Sequence, residues 1–258
     1  MPIDPTSLPS VQVLNVKIHN LSLPEWLEVY EEGVLFTPNI DHLMKLQKDE
    51  DFFRTYQQAD FKSCDSRIIM AVSSFFFGEG FKAQIAGSDF FPAFCDYHKE
   101  NQDVKVFLLG GTASSVQAAA KKLNQSSGRK LVTGFYSPPF GFEHNPSETA
   151  KIYDMILTSG ATVLAVGVGA PKQEHWIIQH KDRLPSVKCF MAIGKTIDFI
   201  AGETQRAPAW ISKIGMEWFY RMLQEPGRLA KRYLVDDMPF FYYAFLQKIG
   251  RYTFPFSK

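Results

Sequence analysis

A mostly parallel α/β sheet with helices on both faces is the fold class this chain predicts, and three observations predict it. Short apolar runs rich in Val, Leu and Phe recur through the middle of the chain, each of a length suited to a buried strand. Stretches of helical period lie between them. Polar or glycine-rich residues follow the apolar runs, where a strand would turn into a helix. The strand candidates, in order, are Val34 to Thr37, Val104 to Leu109, Lys130 to Gly134, Thr162 to Val166 and Val187 to Ala192. Helical candidates fall at about 41–58, 66–77, 89–100, 113–125, 147–159 and 172–183. The resulting βαβα rhythm reads as a Rossmann-like core.

Composition sets the outer limits. A chain of 258 residues with 45% hydrophobic content is long enough to bury a full core, as one large domain or one domain plus an appendage. The net charge of +1 gives no general reason to expect a nucleic-acid partner, because the phosphate term needs a concentrated basic surface. Cys64, Cys95 and Cys189 lie far apart, without CxxC or Cys/His ligand spacing. Neither a disulfide framework nor a structural zinc site is indicated, and a reducing cytosol fits best. The first residues carry Pro2, Asp4, Pro5 and Pro9 rather than the basic and apolar regions of a signal peptide. No apolar run approaches the roughly 20 residues that span a bilayer.

The composition changes toward the carboxyl end, where Arg228, Lys231, Arg232 and Lys248 mingle with the aromatic run Phe240 to Leu246. We therefore expect an α/β core over residues 1–205 and a basic, aromatic helical appendage over 206–258. An amphipathic helix is expected to begin after Arg206-Ala207-Pro208 and to stop at Pro226, with Trp210, Ile211, Ile214, Trp218 and Met222 on one side. Lys213 and Arg221 would face elsewhere. Pro239 should interrupt any helix that crosses it.

Ligands of open parallel sheets sit at the carboxyl ends of the strands, so the residues just after each strand are the ones to inspect. Thr37 could present its hydroxyl there, and Asn39 could either serve a ligand or cap the next helix. Gly110-Gly111 forms a strand-to-helix turn that either admits a ligand to the backbone or is ordinary punctuation. In Gly167-Val168-Gly169-Ala170-Pro171-Lys172-Gln173-Glu174, Pro171 suits the first helical position, and the free N–H groups of a helix start suit a diphosphate. Lys172 stands where the third glycine of a dinucleotide fingerprint should be, which disfavours NAD. Asp65, before the apolar helix at Ile68, is either a helix cap or a general base. Asp49-Glu50-Asp51 matches a metal-binding DxD formally, but Gln47 and Lys48 precede it where a buried strand would be expected, and Asp51 suits a helix start.

Thr37-Pro38-Asn39 with His42, Ala59-Asp60 leading to Asp65, Gly87-Ser88-Asp89, Phe107 to Gly111, Gly167 to Glu174, Asp198 to Gly202 and Arg206-Ala207-Pro208 occur in a register that resembles the WecG/TagA/CpsF glycosyltransferases. These are bacterial enzymes that add a sugar from a nucleotide donor to a lipid-linked precursor. The resemblance runs from Val34 to Tyr233. It implies a GT-E type fold, Asp65 as catalytic base, Thr37, Asn39 and Gln173 in or near the active site, and a basic tail that engages membrane or lipid substrate. Two departures stand out. Ser66-Arg67 follows Asp65 where the family usually has glycine, and Gly194-Lys195 replaces a Gly-Gly pair. Arg67 and Lys195 either contact the donor diphosphate or an acidic donor sugar, or face solvent.

The expected reaction is an inverting, metal-independent transfer from a UDP-sugar to a polyprenyl-diphosphate-linked saccharide, with no cofactor. Asp65 is the expected catalytic residue. Thr37, Asn39, Arg67, Gly110, Gly111, Gly169, Lys172, Gln173, Lys195, Asp198, Arg206, Arg221, Arg228 and Arg232 are expected to bind substrates. The partners implied are donor, acceptor and an anionic membrane surface at the inner face of the cell membrane, without nucleic acid and with a homo-oligomer left open. A non-catalytic scaffold and a nucleotide-binding oxidoreductase are the alternatives.

Overall fold

The protein was analysed as a computed structural model that describes residues 3–78, 80–204, 211 and 217–256. An antiparallel hairpin of β1 (Ser10–Val13) and β2 (Val16–His19) comes first, followed by α1 (Leu23–Val29). The alternation of Val11, Val13, Val16 and Ile18, all buried, carried the hairpin's signal, although the fold-level reading began only at Val34. The α/β region then runs β3 (Gly33–Phe36), α2 (Ile40–Lys45), α3 (Glu50–Gln57), β4 (Phe61–Lys62), α4 (Arg67–Val72) and α5 (Gly87–Tyr97). It continues with β5 (Val106–Gly110), α6 (Ala113–Ser127), β6 (Val132–Tyr136), α7 (Pro146–Ser159), β7 (Val163–Gly167), α8 (Lys172–His180), β8 (Cys189–Ala192) and α9 (Thr196–Ala201). The tail contributes α10 (Glu217–Gln224), α11 (Pro226–Lys231) and α12 (Pro239–Lys248).

The main sheet has the order β4-β3-β8-β7-β5-β6, and its strands pair in parallel. Alternate residues feed two separate apolar layers. Val34, Phe36, Phe107, Leu109, Leu164, Val166 and Phe190 pack on one face, and Leu35, Val106, Leu108, Val163, Ala165 and Met191 on the other. A sheet buried on both faces explains why its strands read as continuous apolar runs.

Several boundaries differ from the sequence reading. The stretch 41–58 is two helices, because the Asp49 side chain accepts the Phe52 N–H and starts α3 afresh. The DxD match is therefore the cap and first turn of a helix. The 66–77 stretch is α4 followed by a π-helical turn, Ser73–Phe77, that ends on left-handed Gly78. Pro171 is not the first helical residue but the one before it. Pro226 follows the end of α10 and opens α11, as a proline at a first helical turn does. The first part of the expected 206–226 helix lies outside the described residues.

The aromatic tail divides between two environments. Phe240 and Ala244 are fully buried in the core, and Gln247 bonds across to the hairpin at Leu14 N–H and Gln12 C=O. Phe241, Tyr242 and Phe245 remain exposed on the other side of α12. Among the described residues, no helix is long and apolar enough to cross a membrane.

Candidate active site

A cleft of about 680 Å³ opens over the carboxyl ends of β3, β5, β7 and β8. Those ends converge because β8 is inserted between β3 and β7, so loops from distant parts of the chain meet above the sheet centre.

Thr37 follows β3 directly and lines the cleft while largely buried. Asn39 lines it too and caps α2: its Oδ1 accepts the His42 N–H at 3.1 Å and an Arg232 Nη2 hydrogen at 3.4 Å. The two readings of Asn39 are thus compatible, since both of these bonds use its oxygen and none among the described residues uses its amide nitrogen. Asp65 enters the wall of the cleft half-buried. Its main chain is held by an N–H bond to Pro38 C=O at 3.0 Å and by Gln84 Nε2 donating to its carbonyl at 3.4 Å. The cap of α4 is Ser66, whose Oγ accepts the Ile69 N–H, so capping does not account for the Asp65 carboxylate. Arg67 is exposed on the first turn of α4, bonded to Gln84, and is not among the residues that line the cleft.

The glycines fall into two kinds. A Cβ on Gly110, at φ +128°, would stand 2.3 Å from the Gly167 carbonyl oxygen, and one on Gly111 would meet Ser115 Oγ at 2.6 Å. Their missing side chains make room for protein. Gly169 and Gly194, at φ +85° and +53°, have nothing within 4 Å of that position among the described residues, so their turns leave open space on that side. Gly110→Ala is accordingly expected to destabilise the fold by about 3 kcal/mol or more, from backbone strain plus a collision with a rigid carbonyl. Gly169→Ala should cost only about 1–2 kcal/mol. Urea denaturation of the two variants measures the difference, and equal losses would refute the distinction.

Gln173, expected to bind substrate, is buried and internally occupied: Oε1 accepts the N–H groups of Gly169 at 3.3 Å and Gly194 at 3.1 Å. Asp198 lines the cleft near the start of α9, and its Oδ1 is buried without a hydrogen-bond partner among the described residues. Its carbonyl accepts the N–H groups of Gly202, Glu203 and Thr204, which closes α9.

Among the described residues, the lysines and arginine that line the cleft are Lys45, Lys172, Lys195 and Arg232, and each faces a carboxylate. Lys45 pairs with Asp41 at 2.8 Å, and Lys172 with Glu143 at 3.4 Å while lying 4.5 Å from the exposed Phe140 ring. Lys195 pairs with Glu225 of the tail. Arg232 reaches in from beyond α11 to Asp41 at 3.6 Å and Asp237 at 3.8 Å. Lys195 is thus engaged with the protein's own tail, where the sequence suggested donor or solvent. Arg206 lies outside the described residues, as do the side chains of Arg221 and Arg228.

Burial and charge divide the acids. Burial works to raise Asp41, but Arg232 and Lys45 outweigh it and hold its carboxyl below the usual range. Asp237 is pushed up to about 7 by burial, against the pull of Arg232. His42 lines the cleft but is driven down to about 3 by full burial, so it is neutral, with Nδ1 2.9 Å from Tyr56 Oη. It contributes packing and no charge. Asp41, Lys45, Glu143, Glu225 and Asp237 escaped the sequence reading. The spacing of Asp41 and Lys45 on the helix after Thr37 was a usable signal, whereas nothing in sequence ties Arg232 to Asp41.

No group of three His, Cys, Asp or Glu side chains is arranged to hold a metal among the described residues. The family model for the "Glycosyl transferase WecG/TagA/CpsF family" matches residues 11–253, from the hairpin through the tail that lines the cleft.

Proposed function

The chain belongs to the WecG/TagA/CpsF glycosyltransferase family, and we propose that it moves a sugar from a UDP-sugar to a polyprenyl-diphosphate-linked saccharide, with inversion and without a metal, in cell-surface polysaccharide synthesis. Nucleotide-sugar donor and acceptor are the substrates the family implies in general; the uridine, the lipid and the stereochemistry are our reading. The observation that carries it is Asp65, a carboxylate in the wall of the strand-end cleft whose capping role is taken by Ser66.

In this reading the acceptor hydroxyl oxygen attacks the anomeric carbon while the Asp65 carboxylate takes the hydroxyl proton. The bond from the anomeric carbon to the diphosphate oxygen breaks, and its electron pair leaves with the nucleoside diphosphate. The negative charge that gathers there is met by the positive end of α8, which starts beside the Gly169 turn, and by Lys172, Lys195 and Arg232, once the diphosphate has displaced their acidic partners. Thr37 and the amide nitrogen of Asn39 orient the donor, with Gly110, Gly111 and Asp198 forming the floor.

We treat residues 206–258 as the unit that engages the membrane. Support comes from the exposed Phe241, Tyr242 and Phe245 on α12 and from Lys231, Lys248 and Arg251, exposed in the same tail. Each such cation contributes about 1 kcal/mol near an anionic surface. The attachment would be peripheral, on the cytoplasmic leaflet.

Transfer from a panel of UDP-sugars to a synthetic lipid-diphosphate-sugar, with and without EDTA, tests the reading. Product is expected with a preferred donor at a rate EDTA leaves within about twofold. Loss of product on chelation, restored by a divalent cation, would overturn metal independence. Absence of both product and sugar-nucleotide binding would favour the scaffold alternative.

A further inference from the structure

Gln173 bonds the turn after β7 to the turn after β8 through one atom. The N–H groups of Gly169 and Gly194 converge on Oε1, at 3.3 and 3.1 Å. Two converging donors require an oxygen between them, so the amide nitrogen must lie on the other side. There it meets Glu174 Oε1 at 2.8 Å. Glu174 is wholly buried on the first turn of α8, and its second oxygen has no hydrogen-bond partner among the described residues. A carboxylate in such a place is costly compared with an apolar side chain of similar volume, and burial pushes it up to about 7. Core packing alone gives no reason for it.

We propose that Glu174 is a positioning residue for the donor site: it accepts a hydrogen from the Gln173 amide nitrogen and thereby holds the Gln173 carbonyl on the Gly169 and Gly194 N–H groups, locking the two turns in the shape that receives the diphosphate. With the acceptor at 174 removed, the Gln173 amide is free to rotate by half a turn about its terminal bond. Its NH₂ then confronts two N–H donors, and both ties between the turns are lost. The tie itself is independent of what the cleft binds; that the tied turns receive a diphosphate rests on the function proposed above.

The test compares Glu174→Met, which removes the acceptor, with Glu174→Gln, which retains an oxygen. It reads amide exchange at Gly169 and Gly194 without ligand, and UDP binding by calorimetry. Glu174→Met is expected to speed exchange at both glycines about tenfold and to weaken UDP about tenfold, while Glu174→Gln stays within about threefold on both. In Gln173→Met the tie is already gone, so adding Glu174→Met should change neither readout further. Unchanged exchange in folded Glu174→Met, or losses that multiply in the double variant, would overturn the proposal. Should Glu174→Met fail to fold, Glu174→Asp, with its oxygen withdrawn by one methylene, decides by the same exchange measurement: faster exchange at both glycines supports the role and wild-type exchange refutes it. If the wild type does not bind UDP, the donor reading fails while the exchange result still decides the role of Glu174.

Discussion

Asp65→Asn is expected to lower kcat for sugar transfer by roughly 10²–10⁴-fold, the range that positioned general bases contribute, while UDP affinity stays within about threefold. The substitution preserves shape and removes the proton acceptor. It should also leave the fold intact. Asp65 is anchored through its main chain to Pro38 and Gln84, which a side-chain change does not touch, and α4 keeps its cap at Ser66. A thermal midpoint within about 2 °C of wild type would confirm that the lost rate is chemical. Steady-state kinetics with the preferred donor, next to a UDP titration, separates the outcomes. A variant that keeps more than a tenth of wild-type kcat would show that Asp65 is not the base. One that loses UDP binding in parallel would show that it serves the donor instead.

Much of the core was legible because its physics is local. Five strands announced themselves as apolar runs, since both faces of the sheet are covered, and the turns that follow them announced the cleft. The break at Asp49 was legible in principle, because an aspartate followed three residues later by the N–H it caps is a local event. What sequence could not show was which neighbour each side chain would find. Gln173 reads as a polar residue on a first helical turn, yet it is consumed by two glycine N–H groups, one of them on a turn that follows another strand. Lys195 reads as a spare cation, yet Glu225 of the tail meets it. Gly110 reads as either a ligand-admitting glycine or ordinary punctuation, and only the neighbouring strand shows what its missing Cβ accommodates. In each case the deciding partner is remote in the chain, and only strand order brings it near.

Arg232→Met is expected to weaken UDP by about tenfold or more and to loosen the tail, because this one guanidinium joins α2 to the segment that follows α11. Among the described residues its polar contacts are long: 3.4 Å to Asn39, 3.6 Å to Asp41 and 3.8 Å to Asp237. Asp41 has a closer partner in Lys45 at 2.8 Å, and Arg232 Nε has no hydrogen bond among the described residues. Arg232 is therefore held in place without being saturated. At about 4 Å and an effective dielectric of about 20, one pair of charges interacts by about 4 kcal/mol as an upper bound, before desolvation is subtracted. A diphosphate brings two charges and a geometry that suits a planar fork, so it should win Arg232 from a single carboxylate already shared with Lys45. The structural cost has a definite pH sign. Burial raises Asp237 to about 7, above its unfolded value of 3.8, so its charge counts against the folded state increasingly as pH rises from about 4 to about 7. Arg232 opposes that burial. Without it the penalty grows, and Arg232→Met should lose more stability at pH 8 than at pH 5. Thermal melts at the two values read this directly, and an equal loss at both would remove Asp237 from the account. Asp41→Asn supplies the discriminating comparison: it removes the carboxylate that Arg232 meets on α2 but leaves the guanidinium in the cleft, with Asn39 as a remaining contact on that side. If Arg232 serves the diphosphate, Asp41→Asn binds UDP at least as well as wild type while Arg232→Met does not. If Arg232 only docks the tail, both variants weaken UDP together, because both cut the same bridge.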